Sequence, residues 1–150
     1  MLAIYVDADA CPVKREVCRV AQRYKLNVTF ISNMRMRIPQ QDGVALVVVD
    51  GQFDAADNWI VEQAGKDDIV VTADIPLAAR CVKRGARVVS PTGRVFTAAN
   101  IGDALATRNL LAELRDAGEV RGGPPPFQPR DGSRFLQSLD QVVQDIKRAK

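Results

Sequence analysis

Four short apolar, largely β-branched runs, LAIYV at 2–6, VALVVV at 44–49, IVVT at 69–72 and ARVV at 86–89, constrain this chain most. None alternates with polar residues as a strand with one wet face would. Continuous runs of this length mark strands buried on both faces, the habit of parallel sheets covered by helices. A fifth run, VTFIS at 28–32, joins them. Helical stretches lie between the runs: 12–25, opening on Pro12; 54–65; and 75–84, closed by Gly85. The alternation predicts an α/β domain of three layers, α/β/α and Rossmann-like, around a mostly parallel sheet of about five strands.

Beyond the last run, Ser90-Pro91-Thr92-Gly93 marks a turn. Residues 100–117 read as a helix that opens on Asn100 with Asp103 three positions on, an approximate capping box, and carries Ile101, Leu105, Leu111 and Leu114 as its apolar stripe. A C-terminal helix over 133–148 places Phe135, Leu139, Val142 and Ile146 on one face. The Gly/Pro-rich stretch between, 118–131, is long for a structureless connection in a compact domain and reads as an arm, with Pro124, Pro125 and Pro126 extended and Phe127 as its anchor. The 150 residues carry one composition throughout, which fits a single domain over 1–150. The N-terminal stretch lacks the basic leader of a signal peptide, and no apolar run reaches the length of a membrane span, so the expected setting is cytoplasmic with no membrane partner.

The chain contains no His, which excludes Ser-His and Cys-His nucleophiles and His-ligated zinc. Three cysteines, Cys11, Cys18 and Cys81, show no C-x-x-C spacing, and Cys11 lacks the arginine partner of a phosphatase loop; they read as packing residues in a reducing compartment. Acid/base and metal chemistry therefore fall to carboxylates. In a doubly wound sheet the ligand crevice lies outside the carboxyl ends of the strands. There the first strand runs into Asp7-Ala8-Asp9, the third ends at Asp50-Gly51 with Asp54 and Asp57 following, and the fourth ends in Thr72-Ala73-Asp74. Carboxylates sharing one crevice repel, and a cation relieves that repulsion. With neither His nor a thiolate pair, the matching cation is hard, Mg²⁺ or Mn²⁺, able to orient a water for displacement at phosphorus. Asp7, Asp9, Asp57 and Asp74 are the catalytic candidates, and Asp7, Asp54, Asp57 and Asp74 the metal ligands. Asp54, Asp57 and Asp74 suit helix caps equally well, Asp9 a helix N-terminus, and Asp50 a turn.

Basic and polar residues surround the same edge. Asn33-Met34-Arg35-Met36-Arg37 follows the second strand, and Lys14 and Arg80 lie near the starts of helices that rise from this edge. Asn33, Arg35, Arg37, Lys14, Arg80 and Thr72 are the candidate substrate contacts. Two arginines beside an acidic crevice suit a phosphate backbone, so RNA or another single-stranded nucleic acid is the expected partner, although a solvated loop has the same composition. The net charge of +3 does not by itself mark a nucleic-acid binder. Arg15, Arg19 and Arg23, every fourth position, read as an exposed helix face.

The segments VDADACPVK (6–14), DAADNWI (54–60), TADIPLAARCVKRGA (72–86), GGPPPF (122–127) and the later R-F-x-x-x-L-D resemble the bacterial YaiI/YqxD family, grouped with PIN-like nucleases, across essentially the whole chain. The resemblance implies a Rossmann-like fold and a metal held by an Asp after the first strand, an acid on a central helix and an Asp in a T-x-D motif. Here these correspond to Asp7, to Asp54 or Asp57, and to Asp74 with Thr72 nearby. PIN domains add a fourth acid after the next strand; Ser90-Pro91-Thr92-Gly93 stands there instead, and Asp9 is the residue placed to compensate. The implied activity is metal-dependent hydrolysis of phosphodiester bonds. Two alternatives stand beside it: a non-catalytic metal- or RNA-binding module, and a haloacid-dehalogenase-like phosphatase with Asp7 as nucleophile. The phosphatase lacks a cap segment here, and the Asp67-Asp68 pair precedes its strand, at the opposite edge.

Overall fold

The structure is a computed structural model that describes residues 2–50, 54–119 and 126–149. Among the described residues six strands form one sheet: β1 Ala3–Asp7, β2 Asn27–Ser32, β3 Val44–Val48, β4 Ile69–Val71, β5 Arg87–Val89 and β6 Val95–Phe96. Five α-helices among these residues cover it: α1 Lys14–Tyr24, α2 Ala55–Gln63, α3 Ile75–Lys83, α4 Ile101–Asp116 and α5 Pro129–Arg148. The strand order is β3-β2-β1-β4-β5-β6; all neighbours are parallel except β5 and β6. This is the expected three-layer α/β/α Rossmann-like arrangement.

The continuous apolar runs behave as their composition demands. Along β1, Ile4 and Val6 face one core with Phe30, Val71, Val17 and, from α5, Phe135, Leu139, Val143 and Ile146. The intervening Tyr5 faces the other, with Ile31, Val70, Val88, Ile60, Leu77, Cys81 and Ala104. Each fully buried aliphatic or aromatic side chain contributes roughly 1.5–3 kcal/mol relative to exposure, so both faces hold the sheet. Helices α1 and α5 cover the first face and α2, α3 and α4 the second. That order also places a switch point. The chain winds one way through β1, β2 and β3, then α2 carries it across to β4 on the other side of β1, leaving a crevice between the carboxyl ends of β1 and β4.

Several boundaries differ from expectation, each for a local reason. Between β1 and α1 the chain makes one 3-10 turn, Ala8–Ala10, so Asp7 and Asp9 do not share an extended face, and α1 starts at Lys14, beyond Pro12. Helix α5 begins at Pro129 rather than 133: Gln128 and Asp131 form a capping box, Asp131 Oδ2 accepting the Gln128 N–H at 2.9 Å, Pro129 opens the first turn, and Gly132 lets Glu16 and Phe127 approach, since a Cβ there would lie 3.3 Å and 3.7 Å from them. Phe127 lies against Gly132 in the first turn of α5 but stays exposed, at 39%, so it is an edge contact rather than the expected anchor; residues 120–125 of the arm, with Gly122, Gly123, Pro124 and Pro125, lie outside the described residues, as does Gly51. The two-residue β6 follows the 90–93 turn, too short to register as a run. Asn100 precedes α4 but forms no capping box: its side chain bonds Thr97 N and Val95 O instead. The stripe on α4 is only partly used, since Ala104 is buried while Leu110 and Leu111 are exposed. No helix among the described residues is long and apolar enough to cross a membrane.

Candidate functional site

Strand parity aims Asp7 at the crevice. It shares the orientation of Tyr5, toward the α2 and α3 layer, and Thr72, just past β4, shares that of Val70. The two meet: the buried Thr72 hydroxyl donates to Asp7 Oδ2 at 2.9 Å and accepts the Asp74 N–H at 3.0 Å. Asp74 caps α3, its Oδ1 accepting Leu77 N–H at 3.0 Å, with Pro76 in the first turn where no donor is needed. Asp57 enters from the first turn of α2, beyond Asp54 at the N-cap position. One acid from each of three separate crossovers therefore lies at the switch-point edge, and Thr72 ties Asp7 to Asp74.

Their charges act on one another. Burial raises the Asp7 carboxyl; the Thr72 bond works against that rise, and the charges of Asp74 and Asp9 add to it. Burial, then Asp74 and Asp7, push Asp57 up to about 6, with Arg80 opposing and Asp54 adding. The cost of the last negative charge in the crevice thus falls on Asp57. This donor set, three carboxylates and a hydroxyl without imidazole, suits a hard oxygen-seeking cation. Asp7 Oδ1 and Asp74 Oδ2 accept no hydrogen bond among the described residues, so each acid keeps one oxygen for a ligand. In their present rotamers, no three carboxylates or thiols among the described residues stand together as a ready coordination set.

Asp9 lies elsewhere. The 3-10 turn carries it to the end of β2, where it accepts from the buried Ser32 hydroxyl, from Asn33 N–H at 3.2 Å and from Asn33 Nδ2 at 3.1 Å. A carboxylate so engaged is a poor second acid for a phosphatase based on Asp7. Lys14 opens α1 and gives one of its three donors to Cys11 O at 2.8 Å. Arg80, in the second turn of α3, donates to Asn58 Oδ1 at 3.0 Å. Arg35 and Arg37 are exposed on an irregular loop, and Asp54 and Asp50 are exposed near the same edge. Ser32 and Asn58 escaped the sequence reading; the strand-end rule that found Asp7 also reaches Ser32, whereas nothing in the sequence pairs Asn58 with Arg80. The Asp67-Asp68 pair sits at the opposite edge, Asp68 accepting Ala3 N–H at 3.1 Å and Gly65 N–H at 3.0 Å. The three cysteines are buried free thiols, and burial pushes Cys18 and Cys81 up to about 11, so neither supplies a thiolate at neutral pH.

Residues 5–145 match the bacterial family described as uncharacterised, YaiI/YqxD. A UPF0178 protein of Azorhizobium caulinodans is 54% identical over 148 residues, covering 99% of this chain and 93% of its own length. One from Rhodospirillum centenum is 54% identical with both chains covered completely, and one from Agrobacterium fabrum 53% identical over 97% of this chain and 95% of its own. No solved structure matches the chain.

Proposed function

The chain belongs to the YaiI/YqxD family, and for this member we propose a metal-dependent, PIN-like nuclease that hydrolyses phosphodiester bonds in RNA at the β1/β4 crevice. The observation that carries the proposal is the placement of Asp7, Asp57 and Asp74 at the strand ends by three crossovers, with the charge of Asp74 adding to the burial that raises both Asp7 and Asp57. Helix caps gather at this edge in any such fold, but the Asp7 side chain caps no helix and is half-buried among them, and repulsion there is a standing cost that a cation removes. Mg²⁺ or Mn²⁺ would be held by Asp7, Asp57 and Asp74, with Asp54 at the margin, and supplies a bound water of lowered pKa together with stabilisation of charge on a phosphate oxygen. Thr72 orients Asp7 through its hydroxyl. Asp57, up to about 6 without a cation, is the acid that gains most from one. Lys14 and Arg80 each retain donors for phosphate oxygens, positioning the backbone without reading its sequence.

The test uses labelled single-stranded RNA with Mn²⁺, Mg²⁺ or EDTA, comparing wild type with Asp7→Asn and Asp74→Asn from identical preparations. Metal-dependent cleavage lost in both variants, with unchanged folds, is the expected result. Cleavage that persists in the double variant removes the mechanism. The absence of a ready three-acid set favours a second reading, a non-catalytic metal- or RNA-binding module; Mn²⁺ binding by calorimetry without turnover on any RNA would select it.

A further inference from the structure

The contacts of Asp9 call for a different explanation from those of the other acids. Ser32 Oγ, besides meeting Asp9, accepts Met34 N–H at 3.1 Å and lies 2.6 Å from Met34 O. One carboxylate and one buried hydroxyl therefore fix the start of the segment that follows β2. That segment, Met34 to Gln40, has neither helix nor strand. Its far end is held by Gln41 Nε2 on Cys18 O at 3.0 Å, and Met36 and Ile38 pack inward against the core beneath α1. The result is a strap with alternating duties: Met36 and Ile38 point in, while Met34, Arg35 and Arg37 are exposed, Met34 at 67%. Below it opens a groove of about 560 Å³ lined by Met36, Arg37, Ile38, Gln40 and Leu46. Two exposed arginines, Arg35 and Arg37, with the exposed Met34 just before them, beside a concavity with apolar walls and a polar rim, match the two surfaces of an unpaired nucleotide: a charged phosphate and an apolar base face.

We propose that Asp9 is a positioning residue: by holding Ser32 and Asn33 it fixes the Met34–Arg37 strap so that Arg35 and Arg37 bind the phosphates of single-stranded RNA and the groove beneath receives an unpaired base. The inference rests on the nuclease reading of the adjoining crevice but assigns Asp9 a duty in binding rather than in holding metal. It makes a prediction opposite in sign to simple electrostatics. Removing a negative charge beside a polyanion should tighten binding. Releasing the strap should weaken it.

The experiment measures binding of a fluorescein-labelled single-stranded RNA oligonucleotide by anisotropy, in EDTA, at several salt concentrations, so that neither metal nor cleavage enters. Asp9→Ala should weaken binding roughly tenfold and lower the salt slope by about one or two, as loss of phosphate contacts does. Asp9→Asn keeps an acceptor for Ser32 and the Asn33 N–H and should bind within about twofold of wild type, a rescue that loss of a charge alone does not give. The exposed double variant Arg35→Ala/Arg37→Ala, which leaves the core intact, should reproduce the Asp9→Ala loss, whereas Arg108→Ala/Arg115→Ala, an equal loss of charge on α4, should leave binding unchanged. Asp9→Ala binding as tightly as wild type or tighter, or duplex RNA competing as well as the single strand, overturns the strap. If wild type cleaves RNA while these variants bind normally, only the strap fails. If wild type binds no RNA at all, the choice of substrate fails with it.

Discussion

Replacing Asp57 with Asn should make the metal-free protein more stable, and only where the carboxyl would be ionised. The carboxyl sits at about 6 in the folded chain against an ordinary value of 3.8, raised by burial and then by Asp74 and Asp7, with Arg80 only partly compensating. A carboxyl whose pKa is raised on folding binds its proton more tightly in the native state, so the native state is penalised once the pH exceeds that pKa. Below about pH 4 both states are protonated and the penalty vanishes; it grows between 4 and 6 and is complete above about 7. Full conversion of the shift from 3.8 to about 6 gives roughly 3 kcal/mol. Asp57 is half-buried, and solvent screening reduces the usable part to roughly 1–1.5 kcal/mol. Its position in the first turn of α2 works the other way, since the helix dipole favours an acid there by about 0.3–1 kcal/mol. Burial and repulsion together outweigh the dipole by a modest margin, so the net gain in Tm for a chain of this size is about 1–4 °C. Thermal melts of wild type and Asp57→Asn from pH 3.5 to 8 in EDTA measure it directly. Repeating the series with Mn²⁺ should stabilise wild type more than the variant, because the cation relieves the repulsion that Asn has already removed. A gain as large at pH 3.5 as at pH 8 would trace the effect to packing rather than charge, and no gain at pH 8 would refute the crowded-acid picture.

The rest of the site and its frame can be probed in the same melts. Thr72→Val removes the hydroxyl that donates to Asp7 and accepts Asp74 N–H; it should cost roughly 1–3 kcal/mol and move the Asp7 titration, followed by carboxyl NMR, further upward. Asp74→Ala should lose about 1 kcal/mol through the missing Leu77 cap, whereas Asp74→Asn should melt like wild type, separating the cap from any role in activity. Gly93→Ala should cost roughly 1–3 kcal/mol, since Gly93 sits at φ +93° and a Cβ would lie 2.9 Å from the backbone of Arg134 on α5.

The frame of this fold was legible because burial on both faces writes itself into composition: every predicted run became a strand within a residue or two, and every predicted helix exists. What escaped depends on contacts distant in sequence. The start of α5 is set by the Gln128–Asp131 capping box and Pro129, whereas Asp131-Gly132 reads as a turn until the packing of Glu16 and Phe127 against Gly132 is known. Strand β6 is two residues long and exists because the turn after β5 returns the chain to pair with it. On α4 the spacing of Leu111 and Leu114 suggests a buried stripe, yet α4 meets the body mainly along α3, leaving Leu110 and Leu111 outside.

Asp7 and Asp9 show where strand-end reasoning stops. Both lie at the carboxyl edge of β1, two residues apart, and an extended chain would present them to one ligand. The direction of Asp7 follows from strand parity, which the sequence carries, because Asp7 is the last residue paired in the ladder. Asp9 lies within a 3-10 turn that no composition signal announces. Once the period of two is broken, side-chain direction is no longer inherited from the strand and is decided by the donors within reach, here Ser32 and Asn33 on the neighbouring strand. Ser32 ends a run chosen for burial, so a lone hydroxyl there gives little sign in the sequence that it is half of a clamp. The acids whose directions derive from the sheet or a helix cap, Asp7 and Asp74, share the switch-point crevice with Asp57, while the acid released from that geometry serves the adjacent loop. A switch-point crevice in this fold therefore yields its ligand candidates from parity and caps, and the residues that shape access to it only from the pairings beyond the strand ends.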